Sequence, residues 1–284
     1  MWNFEHSPEQ ERLALRYVIE KMTPARCAAR LGAGEADLGL IPIAAYAGLG
    51  GLAIVPGCTI ASLGGIRSIL LVLRGAVGRS VGNEPDLLTA EVRAAVGRVR
   101  SVALDTASRT SAMYTRILFR KYWRVDPVFV DHAAELDAML KSADAALLIG
   151  DPALYALEDR AAREARSGER LVYLDLGDAW QREAGVPWVS AFWAAREAAM
   201  VDGGPRVCAD LLASRDAGMG MVGVLAEEWS GRLGLPVATV ETYLSRNIHY
   251  ILDERCLGGI KRFYEDAAEC GLLERRPELR FLSA

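Results

Sequence analysis

The chain has 284 residues, 51% hydrophobic and 25% charged, and a net charge of -4 from 33 basic and 37 acidic side chains. That is enough apolar material for one large domain or two modest lobes, and it excludes a disordered tail, a collagen-like repeat or a low-complexity linker. The near-balanced charge advertises no nucleic-acid surface. Five cysteines (Cys27, Cys58, Cys208, Cys256 and Cys270) are widely spaced and contain no CxxC, and His6, His132 and His249 are scattered. This pattern disfavours a zinc cluster or a disulfide framework and fits a reducing cytoplasm. No membrane span is expected, because the apolar run Ile69–Leu73 meets Arg74 and Gly75. The N-terminus lacks the basic patch and apolar run of a signal peptide.

In chain order, Thr23-Pro24 predicts a helix start: the threonine hydroxyl caps and proline fits the first helical position. That helix runs over 25–31 and stops at Gly32 or Gly34. Ala36 to Pro42 reads as a buried strand ending at proline. Further strands are expected at 53–55, 59–62 and 67–73. A glycine-rich loop with Gly75, Gly78, Gly82 and Pro85 follows, then a helix over 87–96. A second unit opens with a strand at 99–105 and a helix over 108–122, with Met113, Ile117, Leu118 and Lys121 on one face. It continues as strand (127–130), helix (133–141), strand (143–149) and helix (151–166). Strands alternating with helices predict a parallel sheet with right-handed crossovers. Extended runs follow at 171–174 and 188–193, and from Pro205 the pattern is helical. Stripes at Val240, Tyr243, Leu244, Asn247, Ile248, Ile251 and Leu252, and at Ile260, Phe263, Tyr264 and Ala267, are read as core packing. The order predicts an α/β protein of two lobes, residues 1–97 with 175–284 and residues 98–174, with a ligand cleft between them.

The sharpest chemical cluster is Leu104-Asp105-Thr106-Ala107-Ser108-Arg109-Thr110-Ser111. Lying between a strand and a helix, it sets hydroxyls and backbone N–H groups at a helix N-terminus, which attracts anions. Arg109 adds a planar fork matched to a carboxylate. Capping by Ser108 or Thr110 accounts for one hydroxyl, not for three and an arginine. Ser62-Leu63-Gly64-Gly65-Ile66-Arg67-Ser68 fits either a ligand-approaching loop or a tight turn. Gly150-Asp151-Pro152 ends a strand and opens a helix, with Asp151 as a plain cap the alternative. The segment Gly39 to Pro42 is another strand end. No GxSxG elbow, GxxxxGK[ST] loop, HExxH or EF-hand pattern occurs.

Several stretches together resemble one family: Gly34 to Pro42, Ile54-Val55-Pro56-Gly57, Ile60-Ala61-Ser62, Leu104 to Ser111, Leu147 to Leu154, and Tyr243 to Tyr250. They are similar to the chorismate dehydratases of the futalosine route to menaquinone, in order and over nearly the whole chain. The resemblance implies a type II periplasmic-binding-protein-like fold used as a cytoplasmic enzyme. It implies a carbon–oxygen hydro-lyase that converts chorismate to 3-(1-carboxyvinyloxy)benzoate and water without metal or cofactor. Chorismate's two carboxylates suit anion donors, and aromatisation of the ring drives the elimination.

On this resemblance Ser108, Arg109, Thr110 and Ser111 are expected to hold one carboxylate from the second lobe. Ser62, Ser68 and the backbone at Ile41, Pro42 and Ile43 are expected to face it from the first. Asp151 is expected to order the site or to hydrogen-bond the leaving hydroxyl. No side chain stands out as the base, and a substrate carboxylate is a candidate. The family begins with a strand and a Leu-Asn-x-x-Pro-Leu-like motif ahead of the segment matched by Met1-Trp2-Asn3-Phe4. Its absence leaves two readings, a start codon assigned too late or a chain without its first strand. Two other functions stay open: a non-catalytic dicarboxylate sensor, and the sister enzyme 1,4-dihydroxy-6-naphthoate synthase. The expected partner is a small molecule, not nucleic acid or membrane.

Overall fold

The computed structural model describes residues 1–75, 83–106, 108–201 and 203–283. Gly78, Gly82 and Ala107, named above, lie outside them. The chain divides into two compact units. Unit 1 comprises Met1–Ala61, Val189–Leu257 and Pro277–Ala284; unit 2 comprises Ser62–Trp188 and Gly258–Arg276. The boundaries differ from the sequence expectation. Residues 62–97 join unit 2 because their strand Ile69–Arg74 pairs there, 175–188 join it with the helix that follows the strand Leu171–Asp175, and 258–276 join it as most of the last helix.

Unit 1 opens with α1 (Trp2–Glu5), α2 (Glu9–Ala14) and α3 (Pro24–Ala33). Thr23 caps α3 by accepting the Arg26 N–H, and Gly34 closes it at φ 77°, a conformation suited to glycine. The edge strand β1 (Leu38–Pro42) follows, then the short α4 (Ile43–Tyr46). Expected strands at 53–55 and 59–62 are one strand, β2 (Leu52–Ser62), which absorbs Pro56-Gly57 by placing Gly57 at φ 78°.

Unit 2 then begins with β3 (Ile69–Arg74), α5 (Ala90–Val96), β4 (Ser101–Asp105) and α6 (Arg109–Ile117). α5 starts later than expected because Thr89 caps it. α6 continues as a wider π turn, Leu118–Trp123. Its buried face carries Tyr114, Ile117 and Leu118; Met113 and Lys121 are only partly covered, which corrects the expected stripe. Next come β5 (Val128–His132), α7 (Leu136–Ser142), β6 (Ala145–Ile149), α8 (Asp151–Glu158), α9 (Arg160–Ser167), β7 (Leu171–Asp175) and α10 (Leu176–Ala184). The single helix expected over 151–166 breaks at Asp159, where Arg160 turns inward to pair with buried Asp86 at 2.8 Å.

The chain returns to unit 1 through β8 (Trp188–Arg196), α11 (Gly204–Gly220), α12 (Val222–Leu233) and α13 (Val237–Thr242), which runs into a π turn at Tyr243–Asn247. The stripe expected to continue to Leu252 does not. Ile248 turns extended, and His249 exchanges backbone hydrogen bonds with Ala61 at 2.7 and 2.9 Å, so pairing with β2 overrides helix periodicity. The last helix, α14 (Glu254–Glu269), buries Ile260, Phe263, Tyr264 and Ala267 as expected.

Unit 1 holds a sheet in the order β1-β8-β2, with β1 antiparallel to β8. Unit 2 holds a five-stranded sheet in the order β5-β4-β6-β3-β7. Its β5, β4 and β6 are parallel, as the strand–helix alternation predicts. β3 runs antiparallel to both β6 and β7, so the sheet is mixed. Tyr114 stacks on Trp188 with centroids 3.8 Å apart and meets Phe263 at 4.4 Å and Trp180 edge-on at 4.7 Å, making an aromatic core.

Candidate functional site

The register of the unit 2 sheet collects most of the predicted residues on one edge. Leu104 pairs with Leu147, Ile69 with Ile149, and Leu70 with both Leu148 and Asp175. The carboxyl ends of β4, β6 and β7 therefore lie level with the start of β3. In α/β sheets the carboxyl ends of parallel strands are where ligands bind, because helix N-termini and short loops converge there. Ser68, Asp105, Ser108 and Gly150 all lie on this edge.

From β4 the chain passes buried Asp105 and exposed Thr106 to Ser108, the N-cap of α6. The Ser108 hydroxyl accepts from the Ser111 N–H at 3.2 Å and from the Ser111 hydroxyl at 3.1 Å. Thr110 and Ser111 are buried in the first turn, whereas Arg109 is exposed. Four residues that look alike in the sequence thus divide. Ser108 and Ser111 fix the turn, Thr110 packs beneath it, and Arg109 offers a cation to solvent beside the positive end of the helix.

Across the edge, the Gly150 N–H donates to the Ser68 carbonyl at 2.7 Å. Gly150 has φ 71° and ψ -139°, a region essentially restricted to glycine, so its N–H and α8 take directions that no other residue would allow. Gly150, not Asp151, is the N-cap; Asp151 stands exposed in the first turn of α8 with no capping bond. The Ser62 hydroxyl lies within its own turn, donating toward the Gly64 and Gly65 carbonyls at 3.0 and 3.2 Å and accepting from the Gly64 N–H. The tight-turn alternative therefore describes Ser62. Ile41, Pro42 and Ile43 belong to unit 1, where their side chains are buried.

Two residues of this edge escaped the sequence reading. Arg67 is buried and left-handed at φ 64°, a strained conformation for a long side chain. Asp175 compels it: its Oδ2 accepts the Ile66 and Arg67 N–H groups at 2.8 and 2.6 Å, while its Oδ1 accepts those of Gly177 and Asp178. Burial pushes the Asp175 carboxyl up, against these four donors, which favour the charged form. The Arg67 guanidinium pairs with Glu84 at 2.6 Å and donates to the Asn83 carbonyl. Gly177 is obligatory here, since a Cβ would stand 2.4 Å from Ile66 and 2.7 Å from the Gly64 carbonyl. The readable signal was Leu171 to Asp175, a strand followed by an acidic cap; the clamp across more than a hundred residues had none.

Unit 1 contains a separate cavity of about 330 Å³, walled by Trp2, Leu40, Thr59, Trp193, Trp229 and Tyr250. Arg215 reaches it, but its guanidinium is bound to the Gly57 carbonyl and to Asp216. The cavity is aromatic, and the Arg215 guanidinium at its wall is already engaged.

The fold and this edge define a protein of the periplasmic-binding-protein-like class. Solved structures agree on the fold. The periplasmic aliphatic sulphonate binding protein SsuA from Escherichia coli matches at TM-score 0.60 and 15% identity over 97% of this chain and 88% of its own. AF1704 from Archaeoglobus fulgidus matches at 0.56 and 17% over 90% and 86%. The Candida albicans CA3427 product, described as having the generic periplasmic binding protein fold, matches at 0.53 and 12% over 95% and 88%. Residues 2–269 match the family model described as menaquinone biosynthesis, and the chain belongs to that family. Its role is therefore in menaquinone biosynthesis. Among the described residues no helix is long and apolar enough to cross a membrane.

Proposed function

We propose that this protein is a chorismate dehydratase acting at the carboxyl edge of the unit 2 sheet. The observation that carries the reading is the first turn of α6, where Ser108 and Ser111 lock a helix N-terminus and leave Arg109 exposed beside it. Membership of the menaquinone biosynthesis family supports it.

In this reading Arg109 and the N–H groups of the turn hold one substrate carboxylate, with Thr110 and Ser111 supporting the turn from beneath. Ser68 and Gly150, joined by a backbone hydrogen bond, keep α8 in register. Asp151, exposed in the first turn of α8, orders the site or hydrogen-bonds the leaving hydroxyl in this reading. The ring carbon bearing the ether loses its proton to a substrate carboxylate, the neighbouring C–O bond breaks, and hydroxide leaves with a proton as water. Aromatisation lowers the barrier, so the protein's tasks are orientation and charge placement.

Incubating purified protein with chorismate, with and without chelator, tests the reading. Chorismate should disappear and an aromatic ether appear in both arms. The fold shared with SsuA favours a second reading, a dicarboxylate-binding sensor, for which chorismate is bound and recovered unchanged. Conversion of a cyclic futalosine-derived substrate, with chorismate untouched, would instead assign the sister synthase.

A further inference from the structure

The sequence offers no zinc motif, yet the fold of unit 1 brings three ligand types together. A His249 ring nitrogen, an Asp253 carboxylate oxygen and Cys256 Sγ all lie within 4.8 Å of one another. Each is placed by a different device. His249 is held by its two backbone hydrogen bonds to Ala61. Asp253 sits just ahead of α14, its Oδ1 accepting the Cys256 N–H at 2.9 Å. Cys256 is fully buried in the first turn of that helix.

The ligand atoms converge. Asp253 Oδ2 is turned away from its capping role and stands 3.6 Å from His249 Nε2. That nitrogen is buried and has no hydrogen-bond partner among the described residues. Bond lengths of about 2.0–2.3 Å around tetrahedral zinc put its ligand atoms about 3.3–3.8 Å apart. The His–Asp pair already has this separation, and the thiol needs to close by about 1.5 Å or less.

We propose that His249, Asp253 and Cys256 bind a divalent zinc-type cation in unit 1, with the fourth position left to water. An imidazole, a carboxylate and a thiolate are a borderline-soft donor set that suits Zn²⁺ better than Mg²⁺ or Ca²⁺. The groups facing the site are Arg255, whose guanidinium contacts Asp253 Oδ2 at 2.9 Å, and the Asp253 capping interaction itself. Arg255 is largely exposed and can swing into solvent when the cation takes its place. Metal-free, burial and neighbouring Asp253 push the Cys256 thiol up to about 12. Binding therefore forms a metal–sulfur bond and sends the thiol proton to solvent. The ion would tie the end of β2 to the start of α14 and stiffen Tyr250, a wall of the unit 1 cavity.

Titration of the reduced, full-length protein with Co²⁺, followed by displacement with Zn²⁺, tests this. The expected result is one equivalent bound with a sulfur-to-cobalt charge-transfer band. Cys256→Ser should abolish the band, and His249→Gln should weaken Zn²⁺ binding at least about tenfold, since one of three ligands is lost. Arg255→Ala should tighten binding by removing the competing cation from Asp253. A band that survives in Cys256→Ser, or native wild-type protein that takes up no stoichiometric metal, overturns the proposal. Should Cys256→Ser fail to fold, thermal protection by Zn²⁺ in wild type compared with His249→Gln decides; equal protection refutes the site.

Discussion

Ser108 and Arg109 are neighbours with opposite duties, and substitution separates them. Ser108 closes the cap, so Ser108→Ala should cost about 1 kcal/mol of stability, read as a lower denaturation midpoint. Arg109 is exposed and pairs with nothing among the described residues. Arg109→Ala should leave the midpoint within about 0.5 kcal/mol. The same change should lower kcat/KM for chorismate about 10- to 100-fold, the equivalent of about 1.5–3 kcal/mol for a lost charge-assisted bond; unchanged kinetics would remove it from the site. Tyr17 gives a pH signature. Its half-buried hydroxyl donates to Asp210 at 2.8 Å, and burial together with that bond pushes it up to about 12. Below pH 10 the phenol is protonated whether the chain is folded or not, and the contribution is complete. Above pH 10 the unfolded chain ionises first, so stability falls until the folded phenol titrates near pH 12. In a spectroscopic titration of phenolate, Asp210→Asn should move one of the late-titrating tyrosines back toward 10.

At the scale of elements, α14 and the π turn after α6 are joined through Asp266. This fully buried carboxylate accepts from Lys121 Nζ at 2.6 Å and the Tyr122 hydroxyl at 2.6 Å, and pairs with Arg262 at 2.8 Å. Asp266→Asn removes the buried charge these groups share, leaving Lys121 to Glu269 and Arg262 to the Tyr122 hydroxyl, and should destabilise the protein by about 3 kcal/mol, measured by chemical denaturation. Elements whose signals are local were legible in the sequence. Thr23-Pro24 to Gly34 framed α3, and Ser108 framed the start of α6, because caps and stops act within one turn. Elements decided by distant partners were not. Ile248 to Leu252 keep helical spacing, but His249 and Tyr250 hydrogen-bond to β2, and Arg67 takes a left-handed conformation because Asp175 demands it. The candidate site was half legible for the same reason: the turn at the start of α6 is contiguous, whereas the division of labour among its hydroxyls depends on burial.

For the molecule as a whole, the strand–helix alternation announced the parallel part of the unit 2 sheet but not its extent. β3 comes from outside the stretch expected to form that lobe, and it is the strand that stands between β6 and β7. A fragment spanning 98–174 would leave the β6 edge open and lack the β3 strand that separates β6 from β7, so it should aggregate or remain unfolded. A fragment spanning 62–276 carries every strand of that sheet and should show cooperative unfolding by circular dichroism, whereas 98–174 should not.

The aromatic core around Tyr114 carries a consequence for biogenesis. Phe263, packed 4.4 Å from Tyr114, lies on α14 close to the end of the chain. During synthesis, Tyr114, Trp180 and Trp188 emerge from the ribosome long before the residue that covers them. The nascent chain must therefore carry an uncovered aromatic surface while the stretch between Trp188 and Phe263 is made, a window in which chaperones would be engaged and in which premature termination before α14 yields a sticky, degradable product.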